Sequence, residues 1–249
     1  MSLNYIFEYH DKIDSTNKYV KERAKKGALE GLTVIANEQS CGYGRMGRSF
    51  HSPNKSGLYM SILLRPKIEP KDTLLITTAA AVATSEAIEE ISGKKAFIKW
   101  VNDIYVDQKK ACGILCESAL STDNSSCEYC ILGIGINLYE PKGSFPDDIK
   151  NIAGTIFENE VGTDIKDNLV KLITNKFGIY YNDLFDENIY KKYKNRCFII
   201  GKTVYVIKNN NIFEHKVCDL DKEFRLITKN SSNEYFLLDS GEVSLKCNI

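Results

Sequence analysis

One long alanine-rich segment, DTLLITTAAAVATSEAIEEI at residues 72–91, constrains the fold of this chain more than any other stretch of its sequence. Its composition predicts a long α-helix, and Ser92 and Gly93 follow it as residues that end helices. The apolar runs on either side are short, and short apolar runs between turn residues are typical of strands. One long helix among short strands predicts a mixed α/β domain.

The predicted strands fall on both sides of this helix. They are LTVIAN and GLYMSILLR before it, and AFIKW, DIYV, ACGILCES and CEYCILGIGINL after it. Together they predict a mixed sheet of about five strands. Near the amino end, Asp14 and Ser15 stand where a helix cap is expected, before a helical run from Asn17 to Lys26 that Gly27 can end.

The carboxyl-terminal part has a different texture. A helical pattern runs from Thr163 to about Asn195, and beyond Gly201 the chain consists of KTVYVIK, IFEHKVC, EFRLIT and EYFLL separated by Asn, Asp and Ser. These runs predict a small barrel of short antiparallel strands, with a hairpin turn at Asn209–Asn211. We therefore predict two domains, residues 1–197 and residues 198–249.

Charge and hydropathy limit the classes of partner. The 33 Lys and Arg residues balance 33 Asp and Glu residues, so no overall basic field attracts nucleic acid or an anionic membrane. The amino end lacks the apolar core of a leader peptide, and no stretch has the roughly eighteen apolar residues that a membrane span needs. We expect a soluble cytoplasmic protein with no nucleic-acid or membrane partner.

The eight cysteines are scattered through a chain too long to be a disulfide-stapled miniprotein. Cys127 and Cys130 form a C-x-x-C motif, but no second pair completes a zinc site. In a strand, an offset of three residues places two side chains on opposite faces. The sequence therefore predicts reduced thiols and no metal site.

A glycine-rich loop, GYGRMGR at residues 42–48, satisfies the pattern G-x-G-x-x-G. RSFHSPNKSG follows it instead of a helix, which argues against a dinucleotide site, and the absence of Gly-Lys-Ser/Thr excludes a Walker motif. Its arginines, Arg45 and Arg48, predict a loop that clamps phosphate or carboxylate oxygens. An ordinary exposed connection is the alternative.

Two further motifs place charge or glycine beside apolar strands. Lys99 lies inside FIKWVND and Lys110 precedes ACGIL, which brings two lysines close to Asp103. The apolar neighbours of Lys99 predict a partly buried charge that needs a partner. GIGIN at residues 133–137 ends a strand with two glycines, which either leave room for a ligand against the backbone or mark a bend.

In chain order, the segment from Asp14 to Asn17, GYGRMGR, KWVND, Lys110 with CGILCE, and GIGIN resemble the motifs of the biotin protein ligases along essentially the whole chain. The resemblance implies a mixed α/β catalytic domain of the biotin/lipoate ligase type followed by a small SH3-like β-barrel. Only fourteen residues precede Ser15, too few for a helix-turn-helix module. We therefore expect the monofunctional form, without an amino-terminal DNA-binding domain.

The resemblance also implies roles for individual residues. Those implied in catalysis are Lys110, Arg45 and Arg48. Those implied in biotin binding are Ser15, Thr16, Asn17, Gln39, Gly42, Tyr43, Gly44, Arg45, Lys110, Gly113 and Gly133. Those implied in nucleotide binding are Arg48, Phe50, Lys99, Asn102, Asp103 and Asn137. Helix capping is the alternative for the segment from Ser15 to Asn17, and a place in the core is the alternative for Phe50.

The implied reaction has two steps. Biotin and ATP, with Mg²⁺, give biotinyl-5′-adenylate, and a lysine of a biotin carboxyl carrier domain then takes the biotin. A homodimer through an exposed sheet edge stays open. A lipoate protein ligase and a non-catalytic biotin or nucleotide sensor are the alternatives. GYGRMGR and KWVND favour biotin, and the retained cations Arg45, Arg48 and Lys110 argue against a sensor.

Two positions depart from the family's pattern. Tyr43 stands where the loop G-R-G-R-x-G-R has its first arginine, so an aromatic that can hydrogen-bond or pack replaces a cation. Val101 stands where proline is usual in KWVND, so this turn loses a fixed φ angle. We expect the first change to alter closure of the loop and the second to leave activity in place.

Overall fold

The alanine-rich segment forms one long helix, as the sequence predicts. A computed structural model describes residues 3–122, 126–208, 211–239 and 246–247. The helices in these ranges are α1 (Thr16–Lys25), α2 (Thr73–Ser92), α3 (Thr163–Asn182) and α4 (Glu187–Arg196). Gly93 closes α2 with a φ of +70°, the left-handed conformation that glycine favours. Among the described residues, no helix has both the length and the apolar character that crossing a membrane requires.

The strands around α2 form a seven-stranded mixed sheet. In chain order they are β1 (Ile6–Ile13), β2 (Leu32–Gln39), β3 (Gly57–Leu64), β4 (Phe97–Lys99), β5 (Asp103–Val106), β6 (Lys109–Leu120) and β7 (Cys127–Asn137). Their order across the sheet is β1-β2-β3-β7-β6-β5-β4. The β1–β2 pair is parallel and the other neighbouring pairs are antiparallel. The predicted mixed α/β class is confirmed.

The sheet has seven strands instead of about five, and β1 is a strand that the sequence did not indicate. Its sequence, IFEYHDKI, carries several charged residues, and this agrees with its place at the edge of the sheet, where most of its residues are exposed. The helix α1 connects it to its parallel partner β2. Ser15 caps α1 as predicted, since its side chain accepts a hydrogen bond from the Lys18 N–H.

Alternation along β3 and β7 gives the sheet two different faces. Every second side chain of these strands packs into a large core with α2 and α3. The side chains between them point to the opposite face, where α1 covers Leu63 and Ile131. Beside that pair, Ser61 lies opposite Gly133 in the ladder of β3 and β7. Small residues thus leave this part of the face open for a site.

The carboxyl-terminal segments form a second sheet of five antiparallel strands. They are β8 (Thr203–Lys208), β9 (Asn211–Leu220), β10 (Leu226–Lys229), β11 (Tyr235–Leu238) and β12 (Lys246–Cys247), in the order β11-β10-β9-β8-β12. The predicted short antiparallel strands are confirmed. The turn predicted at Asn209–Asn211 falls partly on residues 209–210, which lie outside the described residues. The division into domains 1–197 and 198–249 stays a prediction.

The C-x-x-C motif does not have the geometry that the sequence predicted. The sulfurs of Cys127 and Cys130 lie 3.2 Å apart, so the two side chains share one face of β7. In the pairing with β6, the register shifts between Tyr129 and Cys127, and Glu128 is the extra residue of a bulge. The bulge changes the alternation by one residue and turns Cys127 toward Cys130. The prediction of opposite faces was wrong because it assumed a regular strand.

We expect Cys127 and Cys130 to resist alkylation in the folded protein. Burial raises the pKa of Cys127 to about 12, and a hydrogen bond with Cys116 together with burial raises the pKa of Cys130 well above its ordinary value. Both thiols therefore stay protonated at pH 8, whereas the thiolate is the reactive form. Peptide mass spectrometry after iodoacetamide treatment should find exposed Cys41 modified and these two intact until guanidinium unfolds the protein. Equal labelling of all three in the native state would contradict this burial.

Candidate active site

The glycine-rich loop folds into a short hairpin against the open face of the first sheet. Two backbone hydrogen bonds join its arms, from the Phe50 N–H to the Gly42 carbonyl at 2.9 Å and from the Gly44 N–H to the Arg48 carbonyl at 2.8 Å. The tip is the tight turn Arg45–Gly47. The loop is therefore an ordered hairpin that presents its arginines from a fixed backbone.

Polar side chains from three elements meet beside this hairpin. At the start of α1, the N–H and the hydroxyl of Thr16 both donate to Oε1 of Gln39 on β2, at 2.8 and 3.1 Å. Ser61 of β3 is fully buried, and its hydroxyl lies 2.7 Å from Oγ1 of Thr16 and 2.6 Å from Oδ1 of Asn17. We call Thr16, Asn17, Gln39 and Ser61 the floor cluster. Ser15 caps the helix, and the residues after it form part of a polar pocket.

The floor cluster has fewer hydroxyl hydrogens than oxygen–oxygen contacts. It contains three oxygen–oxygen contacts, between Ser61 and Thr16, between Ser61 and Asn17, and between Thr16 and Gln39. Each of the two hydroxyls carries one hydrogen, so one of the three contacts must lack a hydrogen whichever way the hydroxyls turn. An N–H group of a ligand could donate a hydrogen bond to the oxygen that is left without a donor.

Glycines allow side chains to lie directly on the strands of this face. A Cβ at Gly133 would stand 2.1 Å from Oδ1 of Asn17, and a Cβ at Gly135 would stand 2.6 Å from the ring of Phe50. Both distances are far below van der Waals contact, so both positions require glycine. Close approach of other groups, and not a bend, accounts for the glycines of GIGIN. Phe50 lines the cavity instead of joining the core.

Charged side chains form a second cluster in the same cavity. Nζ of Lys110 lies 2.7 Å from Oδ1 of Asp103, and Asn102 donates to the same oxygen at 3.2 Å. Asn102 also donates to the Ile114 carbonyl at 2.8 Å, and its own Oδ1 accepts from Nη1 of Arg45 at 3.1 Å. These contacts tie the hairpin tip to the KWVND segment.

The cavity favours anions. Arg45, Arg48, Lys99 and Lys110 line it together with one carboxylate, that of Asp103. Burial lowers the pKa of Arg45, and the charge of Asp103 opposes this shift. The ordinary pKa of a guanidinium lies so far above neutrality that Arg45 keeps its charge. The ammonium of Lys99 lies 5.9 Å from the centre of the Tyr105 ring, which gives this half-buried charge its partner.

One cavity gathers nearly all of the residues that the sequence singled out. Those that line it are Ser15, Thr16, Asn17, Gln39, Tyr43, Gly44, Arg45, Arg48, Phe50, Lys99, Asn102, Asp103, Lys110, Gly113 and Gly133. Gly42 and Asn137 are not among the lining residues. Gly42 is buried where its carbonyl joins the arms of the hairpin, and Asn137 donates to the Gly154 carbonyl at 3.0 Å. The individual roles of all these residues stay predictions.

Ser61, Gly135 and Glu117 are important for the contacts of the site, and the sequence analysis gave none of them a role. Ser61 is a polar residue within the apolar run LYMSILL, and a polar residue in a buried strand must find hydrogen-bond partners, so a signal was present. Gly135 belongs to GIGIN but received no role. Glu117 carries no local signal, because its partners Tyr43 and Asn17 lie far away in the sequence.

The comparisons with known proteins agree with this geometry. Residues 9–137, about half of the chain, match the model of the biotin/lipoate A/B protein ligase family. The bifunctional ligase/repressor BirA of Bacillus subtilis is 42% identical over 148 residues, which are 59% of this chain and 45% of BirA. The biotin--[acetyl-CoA-carboxylase] ligase of Paracoccus denitrificans is 34% identical over 129 residues, which are 50% of this chain and 51% of that protein. The chain thus spans about half the length of the curated relatives it matches.

A solved structure extends the likeness beyond the segment that the family model covers. The biotin protein ligase from Aquifex aeolicus in complex with biotin and ATP superposes with a TM-score of 0.77 at 26% identity, over 97% of this chain and 99% of that chain. A match of this coverage includes the second sheet as well as the first. In its fold, and in the segment that carries the cavity, this chain belongs to the biotin/lipoate A/B protein ligase family.

Proposed function

We propose that this chain is a biotin protein ligase, which activates biotin with ATP and transfers it to a lysine of a carrier protein. The proposal is carried by one cavity that is lined both by Thr16, Asn17 and Gln39 of the floor cluster and by the Lys110–Asp103 pair. Biotin has a ureido ring with two N–H donors at one end and a carboxylate at the other. The ureido ring suits the floor cluster, and the carboxylate suits the ammonium of Lys110.

In the first step, a carboxylate oxygen of biotin forms a bond to the α-phosphorus of ATP, and the bond from this phosphorus to pyrophosphate breaks. Both reactants are anions that repel each other. Lys110, Arg45 and Arg48 reduce this repulsion, hold the two groups together and offset the charge that develops on the phosphate oxygens. The products are biotinyl-5′-adenylate and pyrophosphate.

In the second step, the amine of an acceptor lysine attacks the carbonyl carbon of the mixed anhydride. The bond from this carbon to AMP breaks, and the nitrogen loses a proton as the amide forms. No side chain of the enzyme forms a covalent intermediate. The hairpin keeps water away from the anhydride, and Tyr43 and Arg45 fasten it to Glu117 and Asn102.

Magnesium would enter with ATP. Sites of this kind hold Mg²⁺ through phosphate oxygens and one or two carboxylates. Asp103 fits this requirement, since its carboxylate lines the cavity among the cations that would meet the phosphates, and this residue would hold the ion. When bound, the ion neutralises charge on the phosphates.

The acceptor in this proposal is a biotin carboxyl carrier domain, and the enzyme acts in the cytoplasm. The relatives named as biotin--[acetyl-CoA-carboxylase] ligases support this class of acceptor.

A homodimer would form through the edge strand β1, whose Phe7 and Tyr9 are 41% and 62% exposed. Light scattering tests the dimer, and the mass of a monomer at micromolar concentration would reject it.

The decisive experiment is pyrophosphate release by the purified chain with ATP and Mg²⁺, run with biotin and, in parallel, with lipoate. A purified biotin carrier domain is then added, and mass spectrometry follows its gain of biotin. Release with biotin and a mass gain on the carrier lysine establish the ligase. Release with lipoate alone would reassign the substrate, and biotin binding without release would make the chain a sensor.

The helix α4 supports the nucleotide side of the cavity. Tyr193 is fully buried and donates to the Val101 carbonyl at 2.9 Å, whereas Tyr190 on the same helix donates to the Leu220 carbonyl of β9 at 2.7 Å. Both rings pack edge-on against Phe224. Each tyrosine thus makes one hydrogen bond to a carbonyl and one ring contact with Phe224, but only Tyr193 contacts the KWVND segment.

We expect Tyr193→Phe to weaken the use of ATP and Tyr190→Phe to leave it unchanged. Each variant loses one hydrogen bond to a carbonyl, so each should lower the free energy of unfolding by about 1 kcal/mol. Only Tyr193→Phe loosens the segment that carries Lys99 and Asn102. Its KM for ATP should therefore rise by roughly 3- to 10-fold, the factor that corresponds to a loss of about 1 kcal/mol in binding free energy. Guanidinium unfolding and steady-state kinetics measure both effects. Equal KM values for the two variants would contradict a role of Tyr193 in the site.

A further inference from the structure

Two donors from different parts of the site converge on one carboxylate oxygen. The hydroxyl of Tyr43, on the hairpin, donates to Oε2 of Glu117 at 2.7 Å, and Nδ2 of Asn17 donates to the same oxygen at 2.8 Å. Within the described ranges, the cation that pairs with Glu117 is Lys21, whose Nζ lies 3.9 Å from the other carboxylate oxygen and whose side chain is 43% exposed. Glu117 is therefore bound more closely to the hairpin and to the pocket floor than to the surface lysine.

The chemistry of these groups fixes which way each one faces. Burial, and next the contact with Glu117, raises the pKa of Tyr43 well above its ordinary value, so its hydroxyl keeps its hydrogen and donates. A carboxylate has only acceptors, so the Asn17 side chain must turn its NH₂ group toward Glu117. Its carbonyl oxygen then faces Ser61 and the cavity. Glu117 thus determines whether this position offers a ligand an acceptor or a donor.

The polar contacts continue across the pocket to the second arm of the hairpin. From Asn17 the oxygen–oxygen contacts of the floor cluster lead to Gln39, whose Nε2 donates to Oγ of Ser52 at 2.9 Å. The Ser52 hydroxyl donates to the Phe50 carbonyl at 2.9 Å. Tyr43 and Phe50 lie on opposite arms, so both arms are connected to the groups that a ureido ring would contact.

We propose that Glu117 is a positioning residue for biotin, which acts through Asn17 and Tyr43. It turns the Asn17 carbonyl oxygen toward a ureido N–H, and it holds the hairpin over the ring so that biotin leaves slowly. The inference rests on the proposed function, because it takes a ureido ring as the ligand of the floor cluster. It also gives a role to Tyr43, which stands where the family's loop carries an arginine.

The test is the binding of biotin without ATP, by calorimetry for Kd and by stopped flow for the dissociation rate. Tyr43→Phe removes one donor and should raise the dissociation rate by roughly 10-fold or more, the effect of losing a hydrogen bond to a charged group. Glu117→Ala removes the acceptor of both donors and should raise Kd further. Glu117→Gln keeps a carbonyl oxygen and should restore most of the affinity. Lys21→Ala is the matched control and should leave both quantities unchanged.

A double-mutant cycle separates positioning from general support of the fold. Tyr43→Phe should have no further effect on dissociation in the Glu117→Ala background, because its acceptor is already gone. Full additivity of the two changes, or an unchanged Kd in folded Glu117→Ala, would overturn the proposal. If Glu117→Ala does not fold, Tyr43→Phe decides the matter, and an unchanged dissociation rate in this variant would overturn the proposal. Failure of the unmodified protein to bind biotin would instead remove the proposed function.

Discussion

Lys110→Ala should slow biotin-dependent pyrophosphate release by roughly 100-fold or more, the usual scale for removing a group that stabilises transition-state charge. Its ammonium is the group that would meet the biotin carboxylate, and it is held ready by the 2.7 Å contact with Asp103. Without it, the carboxylates of biotin and Asp103 face each other without a cation between them. Biotin then binds less tightly, and the charge that develops on the phosphate oxygens is less well stabilised, so kcat/KM for biotin should fall.

The fold should survive this change. The backbone N–H of Lys110 donates to Ile152 and its carbonyl accepts from Gly154, and the side chain is 31% exposed, so neither the ladder nor the core depends on the ammonium. Lys109→Ala is the matched control, because this neighbouring lysine on β6 is exposed and does not line the cavity. Circular dichroism and pyrophosphate release on both variants complete the test. Release near the unmodified rate in folded Lys110→Ala would exclude the role given to Lys110.

The elements that were predicted correctly are those whose signals are local. The composition of α2 and the left-handed glycine that ends it lie within one continuous segment, and Ser15 caps α1 from the residue next to it. The strand β1 has no such signal, because an edge strand with exposed side chains needs no apolar run. Its place in the sheet depends on pairing with β2, which follows a whole helix later.

The residues of the cavity could be named from the order of the motifs, but their contacts could not. Tyr43 and Glu117 are 74 residues apart, and Asn17 and Glu117 are 100 residues apart. Whether Ser61 faces the core or the site depends on the register of β3 against β7, and a shift of one residue would reverse it. Cys127 shows the same dependence, since one bulge placed it on a face that regular alternation excludes.

Gly133→Ala should raise the Kd for biotin by roughly 100-fold or more, and the overpacking should lower the free energy of unfolding by about 1–3 kcal/mol. The added Cβ would stand 2.1 Å from Oδ1 and 2.9 Å from Cγ of Asn17, so this side chain must rotate away. Rotation breaks its contacts with both Ser61 and Glu117. The acceptor that would receive a ureido N–H is then lost with them.

Gly162→Ala is the control for the change of glycine to alanine as such, because a Cβ there meets no atom within 4 Å. It should leave biotin affinity unchanged. Calorimetry with biotin and guanidinium unfolding on both variants measure the two effects. Unchanged biotin affinity in Gly133→Ala would mean that the ring of biotin does not lie over this glycine.

The clash also predicts a specific rescue. In the Asn17→Ala background, the three atoms nearest to the new Cβ are gone, so Gly133→Ala should cost little additional stability. Biotin affinity should not recover, because the Asn17 oxygen is absent in both backgrounds. Recovery of stability without recovery of binding would separate the two contributions of this contact, packing and the acceptor for the ligand. Stability losses that simply add would show that Gly133 meets some other group.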